Sequence, residues 1–260
     1  MNKKLPGDGL RRLPGVLSSQ RFNFPGMTKY KTIMRFVSYS CFSLLLCIIS
    51  PVSALAIPAI TCHCFADRAY DPARPALADP YFLATTQNSF FAAAFAVDKK
   101  TIVMKKQQGA ASADLWIAYW LAARSGADPE SLLQARKTKG SWRQVAAPLK
   151  ISAKTMGGRF SDALQTNASD DRLADTVVDE LLLRFRFYEE SELAALRKAG
   201  AGNQELILAA MVAYRTRQPA TRFYREVKSG SKSWGALLDR AKISPAEIHK
   251  EMNARISRSR

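Results

Sequence analysis

Histidine is nearly absent from this chain: His63 and His249 are the only two in 260 residues, and neither stands in a pattern with a nucleophile or a carboxylate. No P-loop, GxSxG, HExxH or glycine-rich dinucleotide turn is written anywhere. These absences remove the phosphate-cradling, serine-hydrolase, zinc-peptidase and nucleotide-cofactor classes that need those spacings. No catalytic residue, cofactor or metal ligand set is therefore assigned, and the balance leans away from an enzyme. No stretch alternates apolar and polar residues with the turn punctuation of a strand, so an all-α fold is expected. Acidic residues are also scarce, 22 against 39 Lys and Arg, giving a formal net charge of +17.

Long apolar runs are missing too. The run from Phe36 to Ile49 has 14 residues, short of the roughly 18 to 20 that span a bilayer as a helix. It follows Arg35, breaks at Pro51 and ends in Ala54-Leu-Ala56. A basic start, a short apolar run and a small-x-small site describe a secretory signal peptide cleaved after Ala56. Residues 1–26 exceed what such a peptide needs, so Met27 and Met34 stand beside Met1 as candidate starts. Arg11-Arg12 is not followed closely by an apolar run, which weakens a twin-arginine reading. Residues 1–56 hold eight of the Lys and Arg and one Asp, so the remainder carries about +10. That balance suits an anionic envelope component or a protein partner, although the charge is spread along the chain in the way of a soluble basic protein.

Residues 57–78 form an irregular, proline-rich leader. Once Cys41 and Cys47 leave with the signal peptide, Cys62 and Cys64 are the only thiols. In an oxidising compartment a Cys62–Cys64 bridge is sterically possible though strained; an intermolecular bond or free thiols remain the alternatives. A metal site would need more ligands than Cys62-His63-Cys64 supplies.

What the chain does contain is a recurrence. A shift of 91 residues lays Asp79 on Asp170, Gly109 on Gly200, Leu115 on Leu206, Arg124 on Arg215 and Lys137 on Lys228; after one inserted residue, Trp142 falls on Trp234. Self-similarity at a fixed period predicts two homologous helical units, residues 79–169 and 170–260, the second ending in a basic tail. Residues 115–123 and 206–214 are apolar on every face and predict central helices, through which the two units are expected to pack. Trp142 and Trp234 are expected to be structural anchors, since a large ring buries enough area to hold short helices together. The polar run Thr85-Thr-Gln-Asn-Ser89 reads either as helix-to-helix hydrogen bonding or as a small ligand site. The acid pairs Asp170-Asp171, Asp179-Glu180 and Glu189-Glu190 read as caps and dipole partners.

The Lys, Ser-Trp and Ile-Ser pattern of residues 128–156 and 219–248 resembles a segment of exported bacterial all-helical proteins, a resemblance that implies no activity. Residues 142–155, and in outline 234–249, also resemble a DNA-binding helix-turn-helix, with Lys150 and Lys242 where that motif usually has glycine. Export argues against nucleic acid as the partner. The expectation is thus an exported, periplasmic or secreted, non-enzymatic binding or structural protein of the bacterial envelope. The alternatives are an envelope enzyme using an unrecognised carboxylate and a helix-turn-helix DNA-binding protein.

Overall fold

Serine and aspartate punctuate the chain where helices start. Asp98, Asp128, Ser141, Ser152, Ser169 and Ser233 each accept a backbone N–H from the first turn that follows, a contribution of about 1 kcal/mol per cap. The computed structural model describes residues 65–259, and among these it contains thirteen α-helices and no strand. The signal peptide, Cys62 and Cys64 lie outside the described residues.

The helices are α1 (Asp79–Phe95), α2 (Lys99–Gln107), α3 (Ser112–Ser125), α4 (Pro129–Lys139) and α5 (Trp142–Ala146). A 3-10 turn (Ala147–Leu149) leads to α6 (Ala153–Met156) and α7 (Gly158–Gln165). There follow α8 (Asp170–Arg184), α9 (Glu190–Lys198), α10 (Asn203–Thr216), α11 (Ala220–Lys228), α12 (Trp234–Arg240) and α13 (Ile248–Ser257). The starts of α8, α9, α10 and α11 each lie 91 residues after those of α1, α2, α3 and α4.

Residues 115–122 of α3 and 206–212 of α10 are all buried, as helices without a polar face must be. They do not meet chiefly through each other. The first helix of each half crosses over: α1 packs on α10 and α13, while α8 packs on α3 and α7. A helix apolar all round needs cover on several sides, and its own short neighbours leave one side open. The long first helix of the opposite half closes it, and the described residues all fall within one compact unit.

Asp79 shows the same crossing. The local sequence suggests an N-cap for α1, yet that helix follows Ala78 without a side-chain cap. The Asp79 carboxylate instead accepts the backbone N–H groups of Trp234 and Gly235 at 3.0 and 2.8 Å, capping α12 from the far side of the sequence. Burial pushes its pKa up, against the opposing effect of those two hydrogen bonds. Arg136 of α4 ties the halves again, donating to Asp170 of α8 at 2.5 Å.

Candidate functional site

Where the crossing helices begin, they leave a cleft of about 720 Å³, within the range that holds a small ligand. One wall is the inward face of α1, with Leu83, Gln87 and Asn88; α2 contributes Lys106, and the first turns of α3 contribute Ser112 and Trp116. The opposite wall comes from α8, with Asp171 and Asp175, and from the start of α10, with Asn203, Gln204 and Glu205. Gly109, at φ +91°, turns the chain sharply after α2. That left-handed conformation suits glycine, and it sets the Lys106 end of α2 beside the start of α3.

The polar run of α1 is buried from Thr85 to Ser89. Its side chains are answered by other helices and by the carbonyls of α1 itself. Lys99 donates to Thr85 Oγ1 at 2.7 Å, Gln204 to Gln87 Oε1 at 3.0 Å and Lys106 to Asn88 Oδ1 at 2.7 Å. Thr86 and Ser89 bond back to the carbonyls of Phe82 and Thr85. Helix-to-helix bonding thus accounts for this run, and one of these bonds is chemically unusual.

Lys106 is 8% exposed, and the only hydrogen-bond partner of its ammonium among the described residues is a neutral amide. Burial pushes its pKa down to about 8, because taking an ammonium out of water disfavours its charged form. Ninety-one residues on, Arg197 meets the opposite situation. Its Nε and Nη2 donate to Asp179 Oδ1 at 2.9 and 2.7 Å, Nη1 donates to the Ala201 carbonyl at 3.0 Å, and Nη2 also reaches Asn203 Oδ1 at 2.5 Å. Asp175 stands 3.7 Å away. Its carboxyl pKa is pushed up by burial, with Arg197 opposing. Asp179, at 6% exposure, lies inside α8 and neutralises this guanidinium; the reading of it as a cap does not hold. Buried charges are normally paired. Arg197 obeys that rule and Lys106 does not.

Two further groups of the cleft wall have unused capacity. Among the described residues neither the Ser112 hydroxyl nor the indole N–H of Trp116, both enclosed, has a hydrogen-bond partner, whereas Trp120 and Trp142 donate theirs to the Met156 carbonyl and to Asp114. Ser112 is the first residue of α3, after Ala111, which supplies no side-chain cap. On the other wall Glu205 is occupied by the Gly202 N–H at 2.9 Å, while Asp171 has no ion pair among the described residues.

Of the residues singled out from sequence, Gln87, Asn88 and Asp171 line this cleft, and the tryptophan anchors lie elsewhere. Trp142 and Trp234 are 1% and 2% exposed, and neither lines the cleft. In both helix-turn-helix-like corners the lysine at the glycine position is left-handed, Lys150 at φ +50° and Lys242 at φ +54°. Lys106 and Trp116 were missed, although the offset of 91 lays Lys106 on Arg197 and Asn88 on Asp179. That the basic residue persists while its acidic partner becomes an amide is the signal that would have found them. Among the described residues no group of three or more His, Cys, Asp or Glu is placed to hold a metal ion, and no helix is long and apolar enough to cross a membrane. The chain matches no family model, no curated protein and no solved structure, so the chemistry of the cleft rests on its own residues.

Proposed function

We propose that this chain is an exported, non-enzymatic binding protein of the bacterial envelope, built from two copies of one helical unit, and that it binds a small polar ligand in the cleft between the crossing helices. The observation that carries the binding reading is Lys106, a buried cation in the wall of a cleft with no anionic partner among the described residues. Perturbed ionisable groups in clefts are candidates for function because binding and active sites are where burial is used to shift a group's protonation. Duplication is supported by the four helix starts at equal spacing and by left-handed Gly109 and Gly200, at φ +91° and +89°. On this reading the second copy has closed its charge site with Asp179 and the first has kept its own open. Export rests on the sequence of residues 35–56.

Binding is tested without knowing the ligand. The protein is purified under native conditions from the cells that make it and denatured, and the small molecules released are measured by mass spectrometry beside those from Lys106→Ala. A compound released near one-to-one by the wild type and lacking in the variant is the expected result; identical release profiles would refute the reading. Cell fractionation with N-terminal sequencing tests export, which predicts an extracytoplasmic product beginning near Ile57.

A second reading is favoured by one observation, the left-handed Lys150 and Lys242 at the turns of the helix-turn-helix-like corners. Against it, α6 has four residues, too few to lie along a major groove, and α13 is packed on α1. Binding of duplex DNA that persists at 0.2 M salt would favour this reading, because nonspecific phosphate contacts weaken steeply with salt.

A further inference from the structure

We infer that the ligand of this cleft is a small amino carboxylate, its carboxylate completing Lys106 and its ammonium facing Asp171, and that Asn88 is the residue that keeps Lys106 available. The inference rests on the binding reading above and names the chemistry of what is bound.

The argument begins with what the wall leaves unanswered. On one side stands the Lys106 ammonium, which spends one bond on Asn88; the Ser112 hydroxyl and the Trp116 indole N–H behind it are enclosed and have no partner among the described residues. The ammonium can only donate, so this side calls for an acceptor. A carboxylate suits it best, since a charge-assisted hydrogen bond is roughly twice as strong as a neutral one. The Arg197 site displays the same solution built from the chain itself, with Asp179 supplying the carboxylate. The opposite side is acidic: Asp171 is exposed and has no ion pair among the described residues, and Asp175, near Arg197, and Glu205, held by the Gly202 N–H, stand with it in the wall. A simple anion would answer Lys106 while adding to the negative charge across the cleft. A simple amine would answer Asp171 and leave Lys106 as it is. A molecule carrying both groups meets both walls, and a volume of about 720 Å³ leaves room for a chain between them.

Asn88 is decisive in this account. An aspartate there would pair with Lys106 as Asp179 pairs with Arg197, and the ligand would have to displace it. The amide satisfies one proton and contributes no charge, so the ammonium stays open to a carboxylate from outside.

The test uses the full chain and a set of named probes: glycine, 4-aminobutanoate and 6-aminohexanoate, with acetate and methylammonium as the separate halves. Affinities are measured by calorimetry, and the Trp116 indole resonance is followed by NMR as a local reporter. At least one amino carboxylate is expected to bind about tenfold or more tighter than either half and to move that resonance. Lys106→Ala should abolish binding. Asn88→Asp should abolish it as well while leaving the melting temperature equal or higher, which separates a filled site from a damaged fold. Asp171→Asn should remove the advantage over acetate and spare acetate itself. Acetate binding as tightly as the best amino carboxylate, Asn88→Asp binding like the wild type, or no probe binding at all would each overturn the inference. If the compound released from the native protein carries no amine, the binding reading stands and this one falls.

Discussion

Lys106→Met replaces the buried ammonium with an apolar chain of similar length, and comparing the two proteins across pH isolates the cost of holding that charge. In the folded chain burial lowers the pKa of Lys106 from 10.5 to about 8. The unfolded chain therefore binds more protons between these values, and stability rises with pH across that window. Below about pH 8 both states are protonated and the full penalty is present; above about pH 10.5 neither is and the penalty has gone. A shift of this size corresponds to roughly 3 kcal/mol at 1.36 kcal/mol per pKa unit. About 2 kcal/mol of it should be recovered between pH 7 and pH 9.5. Urea unfolding at the two pH values measures it. Tyrosines and the other lysines titrate in both proteins, so the quantity to read is the wild-type change minus the Lys106→Met change. The loss of a partner for Asn88 does not vary with pH and cancels in the same subtraction. A difference near +2 kcal/mol is expected. A difference of zero would mean that Lys106 is hydrated or paired in solution, which would remove the premise of the binding site.

Three other outcomes follow from the packing. Arg197→Ala strands the buried carboxylate of Asp179 and should cost about 3–5 kcal/mol by chemical denaturation, with Asp179→Asn in the same chain recovering part of the loss. Trp142→Ala and Trp234→Ala, each removing a ring that is almost fully buried, should each cost about 3–5 kcal/mol; two unchanged melting temperatures would make these rings surface platforms. Gly157→Ala meets two obstacles, a φ of +94° and a new Cβ only 2.9 Å from Glu180 Oε1 and 3.2 Å from the Trp120 ring, so its melting temperature should fall by several degrees, a cost of about 1–3 kcal/mol. Gly140→Ala, also left-handed but facing open space, should lose distinctly less.

The helical character of this chain was legible in its residues because it depends on local physics. A stretch apolar on every face, such as residues 115–122, has nowhere to go except the interior. Asp98, Asp128, Ser141 and Ser152 cap the helices that directly follow them because a cap reaches only two or three residues along the chain. Asp79 marks the limit of that reasoning. Its residue type is right for a cap, but the helix it caps starts 155 residues later, and no local pattern contains that distance.

The candidate site was legible only in part for the same reason. The polar run Thr85-Thr-Gln-Asn-Ser89 stood out, and the 91-residue recurrence already set Lys106 opposite Arg197 and Asn88 opposite Asp179. The sequence alone determined the helical character, the recurrence and the basic balance of charge, since each is a matter of residue type and spacing along the chain. The tertiary structure decided which helices cross, which carboxylate neutralises Arg197, and that Lys106 is left with an amide beside a cleft. Burial and pairing are properties of what surrounds a side chain, and here those surroundings are assembled from α1, α2, α3, α8 and α10, brought together only when the first helix of each half packs on the other.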